Sequence, residues 1–232
     1  MSEIKPIYLF ADSQMLFWKY DERFFLESVK EYITDVSPKA AYIGASNGDR
    51  IEFYEFFREA MNNIGINECR LISAFFEQED QDFLKKADII FLSGGDVALG
   101  WKTFQAVGLD TAIQKRYGEG ALLMGVSAGA IHLGQCALPE DEPVEGNAFN
   151  TLRILPFVVG VHEQKTDWRD LKQLVSIEGS FHRGVGIPTG GGLIYHTDFS
   201  VEPLRFPLQE FIYEYRENKL SENLLYPVLR KY

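Results

Sequence analysis

The sequence predicts an α/β protein built on a mainly parallel sheet with helices on both faces. Three observations carry that expectation. Short apolar runs alternate with longer amphipathic ones through the first half of the chain. Hydrophobic residues make up 46% of the 232 residues, enough for a full core and one sizeable domain. Glycine-rich turns follow two of the apolar runs, at the strand ends where such sheets collect ligands.

The elements follow in order. Ile7–Ala11 is a continuous apolar run of the kind a buried parallel strand requires. Asp21–Asp35 has helix-like spacing, and Ala40–Gly44 is the next strand. In the helix expected over Arg50–Ile64, Ile51, Tyr54, Phe57 and Met61 form one stripe, while Glu52, Glu55, Arg58 and Glu59 lie largely off it. Strands Glu68–Ile72 and Asp88–Leu92 flank a helix over Gln78–Lys86, and a helix over Asp110–Tyr117 precedes strand Ala121–Val126. Strand-helix-strand repetition implies right-handed crossovers between parallel strands. The last third changes character. Pro139 to Gly146 reads as an acidic loop, Leu152–Val161 as a strand interrupted at Pro156, and Asp167–Ile177 as a helix. Gly184–Gly192 reads as a glycine-rich turn before strand Leu193–His196, and Phe211–Tyr232 as a terminal helix. With no repeat, low-complexity tract or linker, residues 1–232 are expected to form a single domain.

A net charge of −11 argues against a nucleic-acid partner, because phosphate binding needs clustered Lys and Arg. Cys69 and Cys136 stand far apart with no metal-ligand spacing, as expected of thiols in a reducing compartment. The N-terminus lacks a basic region followed by a long apolar stretch. No run approaches the ~18 apolar residues of a membrane span. A cytoplasmic chain without membrane, metal or cofactor is the expectation.

The most informative segment is Gly125-Val126-Ser127-Ala128-Gly129, between an apolar strand and the start of a helix. A sharp strand-to-helix turn strains its central residue and needs small neighbours, and it lifts the serine hydroxyl above the sheet. The N–H that follows, on Ala128, sits at a helix N-terminus. An ordinary glycine-rich turn has the same pattern. A serine nucleophile also needs a base, an orienting acid and an oxyanion hole. Gly94-Gly95, after strand Asp88–Leu92, offers the Gly95 N–H as a second donor beside that of Ala128, or else is merely a tight turn. His162 is the best base among four histidines. It ends a strand 35 residues after Ser127, with the acidic loop between, in the chain order Ser…Asp/Glu…His of α/β hydrolases. His132 lies five residues after Ser127 and points down its helix; His182 and His196 flank the glycine-rich turn. Asp141 and Glu142, with Glu140 and Glu145 nearby, supply candidate acids, and the sequence does not choose between Asp141 and Glu142.

Phe91-Leu92-Ser93-Gly94-Gly95-Asp96, Gly125-Val126-Ser127-Ala128-Gly129-Ala130 and His162 together resemble the aspartyl dipeptidase (dipeptidase E) and cyanophycinase family of serine peptidases. The resemblance covers roughly residues 5 to 200. It implies a fold related to class I glutamine amidotransferases, a three-layer sandwich, with serine where those enzymes use cysteine. It also implies Ser127 as nucleophile, His162 as base, Gly95 and Ala128 as oxyanion hole, and cleavage of a small aspartyl peptide without metal or cofactor. Two positions depart from the family pattern. The histidine stands in Gly160-Val161-His162-Glu163 rather than a Pro-His-Phe or Gln-His-Phe context, and Pro188-Thr189 replaces an acidic pair often found after Gly-Ile. Arg169 lies where relatives with an arginine downstream of the histidine would place it, as a partner for a substrate carboxylate. A helix-surface ion pair is its other reading. Hydrolysis of a non-aspartyl amide or ester, and a non-catalytic small-molecule-binding relative, are the alternative functions.

Overall fold

The computed structural model describes residues 4–139, 148–177 and 182–228. The first half contains β1 (Ile7–Phe10), β2 (Lys19–Tyr20), β3 (Arg23–Phe24), β4 (Lys39–Ile43), α1 (Ile51–Asn63), β5 (Glu68–Ile72), α2 (Gln78–Leu84) and β6 (Ile89–Leu92). Next come α3 (Val97–Val107), α4 (Leu109–Gly118), β7 (Leu122–Val126), α5 (Ala128–Leu133), β8 (Cys136–Ala137) and β9 (Phe149–Asn150). The remainder is β10 (Val158–Val161), α6 (Arg169–Ser176), β11 (Arg183–Ile187), β12 (Gly192–Tyr195), β13 (Val201–Leu204), β14 (Leu208–Glu214) and β15 (Lys219–Leu225).

A seven-stranded sheet in the order β13-β12-β1-β7-β6-β4-β5 forms the centre. Its five strands from β1 to β5 are parallel, and β12 and β13 join antiparallel at one edge. The apolar runs make this sheet because both of its faces are covered, so every strand residue needs an apolar environment. Strand β1 displays the rule. Ile7 and Leu9 point into one core with Phe104 of α3, Ile113 of α4 and Leu133 of α5. Tyr8 and Phe10 point into the other, with Phe57 and Met61 of α1 and Met15 of a short 3-10 turn. The expected stripe of α1 buries Tyr54, Phe57 and Met61, but Ile51, in its first turn, is left exposed.

A second sheet, in the order β10-β11-β14-β15, packs on the α3–α5 side. Val159, Val161, Ile187 and Leu208 from its strands share the first core with the central sheet. Strands β10 and β11 are parallel, with Val161 opposite Ile187, so the chain leaves both strands at the same end. That end faces the carboxyl end of β7.

Four expectations are corrected. Asp21–Asp35 is not one helix: Asp21 and Glu22 both adopt positive φ, 51° and 67°, and turn the chain between β2 and β3. The 3-10 segment Phe25–Tyr32 then buries Phe25, Leu26 and Val29. In the segment Leu152–Val161, only Val158–Val161 is a strand. Gly184 and Gly186 belong to strand β11 rather than to a turn. An ideal Cβ at either would stand 2.5 Å from Val175 or Trp168, so the absent side chains let those groups lie directly on the strand. The tail is not a helix but the hairpin β14–β15, which covers the free edge of β11.

Candidate active site

The site grows from the turn after β7. Ser127 has φ 50° and ψ −116°, a conformation L-residues avoid at a cost of roughly 1–3 kcal/mol. Hydrogen bonds hold it there. Its N–H donates to the Phe10 carbonyl of β1 at 3.0 Å, and its own carbonyl accepts from Ala130 and Ile131 at 2.9 and 3.1 Å. The small neighbours are a requirement of packing. An ideal Cβ on Gly125 would lie 2.6 Å from the Gly129 carbonyl carbon, and one on Gly129 would lie 2.1 Å from the Leu92 carbonyl oxygen. Helix α5 therefore approaches β6 and β7 at backbone contact, which no larger residue at 129 permits.

His162 follows β10 with φ 46°. Its N–H donates to the Ile187 carbonyl at 2.9 Å, fixing the backbone against β11. Its Nε2 lies 3.0 Å from Ser127 Oγ. For Nε2 to accept the hydroxyl proton, Nδ1 must carry the ring hydrogen. Among the described residues no carboxylate is hydrogen-bonded to His162. Asp141 and Glu142 lie outside the described residues. The neighbouring Glu163 turns away from the imidazole, and its Oε2 accepts from the Leu171 N–H at 3.2 Å. Burial pushes the Glu163 carboxyl up to about 7, against the opposing effect of hydrogen bonds from the first turn of α6.

Across from the histidine, the β6 loop presses on the serine. An ideal Cβ on Gly94 would lie 3.2 Å from Ser127 Cβ. Gly95 has φ 137°, and a Cβ there would stand 2.1 Å from the Ser46 carbonyl oxygen, so only glycine fits. Neither the Gly95 nor the Ala128 N–H is engaged by a backbone acceptor among the described residues. Asn47 Nδ2 donates to the Gly94 carbonyl at 3.3 Å and to the Tyr42 hydroxyl at 3.0 Å. The C=O and N–H of one trans peptide point in opposite directions, so this bond turns the Gly95 N–H away from Asn47. Sequence reasoning missed Asn47. Its signal was the polar Ser46-Asn47-Gly48-Asp49 at the carboxyl end of strand β4.

The other candidates are placed elsewhere. His132 is buried, with Nε2 2.8 Å from the Val97 carbonyl, and burial lowers its pKa to about 4. His182 packs on the Tyr215 ring at 4.5 Å, and His196 Nε2 lies 2.8 Å from Glu202. Arg169 is exposed on α6, with its Nε donating to Asp170 at 3.0 Å. Both cysteines are free, and burial pushes the Cys69 thiol up to about 11. Among the described residues no helix is long and apolar enough to cross a membrane.

The model of peptidase family S51 matches residues 18–198 of the chain. No curated protein matches it. Two crystal structures share its fold. A peptidase from an acI-B1 Actinobacterium superposes with a TM-score of 0.70 at 19% identity, covering 97% of this chain and 95% of that one. A protein provisionally assigned as peptidase E from Listeria monocytogenes EGD-e superposes with a TM-score of 0.63 at 17% identity, covering 88% and 100%.

Proposed function

The chain belongs to peptidase family S51, and on that premise we propose that it hydrolyses a small peptide through an acyl-enzyme on Ser127. The observation that carries this reading is the 3.0 Å separation of Ser127 Oγ from His162 Nε2, which joins the ends of strands from two different sheets. In the proposed reaction, Ser127 Oγ attacks the scissile carbonyl as His162 Nε2 takes its proton. The N–H groups of Gly95 and Ala128 hold the oxyanion. The tetrahedral intermediate collapses, and His162 returns the proton to the departing amine. Water, deprotonated by the same imidazole, then attacks the acyl carbon and releases Ser127. Asp141 or Glu142 orients the imidazole and stabilises its protonated form in this scheme. No step calls on a metal or cofactor.

The aspartyl specificity of the resemblance needs a cation beside the acyl side chain. Arg169, the candidate, would first have to leave Asp170. The test compares wild type with Ser127→Ala on α-aspartyl, β-aspartyl and neutral dipeptides. The reading expects cleavage that Ser127→Ala and His162→Ala each reduce by at least about a thousandfold with folding intact. Cleavage confined to aspartyl members supports aspartyl specificity; cleavage of neutral ones supports the broader hydrolase. Full activity in purified Ser127→Ala would remove Ser127 as nucleophile.

A further inference from the structure

A groove of ≈ 500 Å³ opens where β10 and β11 end, with Gln164 and Pro188 in its lining. Trp168, Pro188, Phe206, Pro207, Leu224 and Tyr226 supply its apolar walls. Its polar lining, Gln164, Thr189 and Gln209, carries no charge. Strand register places it. Val161 pairs with Ile187, so His162 and Pro188 leave the small sheet side by side. Gly186 pairs with Gln209, and Leu208 with Leu225, which brings the segments around Phe206 and Leu224 to the same end. The groove therefore begins one residue beyond the backbone contact that fixes His162.

We propose that this groove receives an apolar or aromatic side chain from the substrate residue that departs with the amine. The inference rests on the reading of Ser127 as nucleophile and His162 as base. Proton transfer gives the direction. The imidazole that deprotonates the serine must deliver that proton to the leaving nitrogen, so the leaving residue lies on the His162 side of the scissile carbonyl. The acyl residue lies with the oxyanion donors Gly95 and Ala128.

The lining then decides the chemistry. Phe206, Leu224 and Tyr226 are 38%, 50% and 66% exposed, so three of the large apolar side chains left in solvent gather at this one place. Trp168 is 7% exposed and packs over Gly186, which makes it a fixed wall rather than a mobile cover. A carboxylate entering here would be desolvated with no cation among the lining residues. Arg205 lies outside the lining, 5.0 Å over the Phe206 ring, with Nη1 donating to the Gly190 carbonyl at 3.3 Å.

Titration calorimetry on Ser127→Ala protein tests the assignment without turnover, using alanyl-phenylalanine, alanyl-aspartate, alanyl-glycine and phenylalanyl-alanine. Alanyl-phenylalanine is expected to bind about tenfold more tightly than the other three. Leu224→Glu and Tyr226→Glu, each at an exposed rim position, should abolish that preference while circular dichroism reports an unchanged fold. Equal affinity for all four, no binding by any, or a preference for phenylalanyl-alanine overturns the proposal. So does a preference that survives both rim substitutions in folded protein. Turnover by the wild type that Ser127→Ala removes is measured separately, and its absence counts against the nucleophile rather than against the groove.

Discussion

The Asn47 side chain holds three groups, the Tyr42 hydroxyl, the Arg50 N–H and the Gly94 carbonyl, and the most consequential is the Gly94 carbonyl. That bond fixes the plane of the Gly94–Gly95 peptide and with it the direction of the Gly95 N–H. If this N–H stabilises the oxyanion, a donor set loose by one rotatable peptide acts only part of the time. Asn47→Ala should lower kcat about tenfold and leave KM nearly unchanged, less than the 10²–10³-fold typical of deleting a donor outright. An unchanged kcat would take Asn47 out of the account. At this scale legibility followed locality. Ser127 was visible because its turn demands glycines at fixed offsets, and the structure shows both in backbone contact. His162 was visible because it ends an apolar strand. Asn47 acts on a residue 47 positions away, and no spacing within one segment encodes that.

Helix α6 is tied to the site through Glu163. The carboxylate of Glu163 accepts from the first turn of α6, and its carbonyl accepts from Thr166 and Trp168, so the loop after His162 closes on the residue beside it. Desolvation raises the carboxyl to about 7, with Asp170 adding to the rise and Arg169 opposing it. The folded state thus binds this proton more tightly than the unfolded chain, whose glutamate titrates near 4.5. The contribution of Glu163 to stability falls as pH rises from about 4.5 to about 7, by an amount on the order of 3 kcal/mol. Glu163→Gln keeps an acceptor for the helix and removes the titration. Urea unfolding should show it gaining on wild type across that window, with no gain below it; parallel pH profiles for the two proteins would contradict this.

The same scale explains which elements the sequence hid. Helix α3 escaped because Val97, Gly100 and Phe104 bury a narrow face amid Trp101, Lys102 and Thr103, a weak stripe beside that of α1. Strand β11 looked like a turn because its glycines serve the packing of Trp168 and Leu171 rather than a reversal of the chain. Lys219–Leu225 carries no β-branched residue, and it is a strand because β14 offers it seven paired positions.

At the scale of the molecule, two sheets meet so that the carboxyl ends of β7 and β10 face each other. The parallel half was legible because a strand covered on both faces must be apolar throughout, and Ile7–Phe10, Ile89–Leu92 and Leu122–Val126 are. The second sheet was less legible: only the end of the strand expected over Leu152–Val161 is β10, the glycines of β11 looked like a turn, and β15 mixes exposed and half-buried positions. The proposed catalytic pair, Ser127 and His162, spans this junction, so the candidate site is a product of the packing of two sheets rather than of one motif. The groove is built from the ends of the second sheet and the loops around them, and its uncharged lining was invisible until Phe206, Leu224 and Tyr226 were brought together.

The most direct test of the central claim is intact-mass spectrometry after treatment with a fluorophosphonate, which reacts with serines activated by a neighbouring base. The account predicts one adduct per chain, mapped to Ser127 and absent from Ser127→Ala and His162→Ala. An unlabelled wild type, an adduct on another residue, or labelling undiminished in His162→Ala would contradict it.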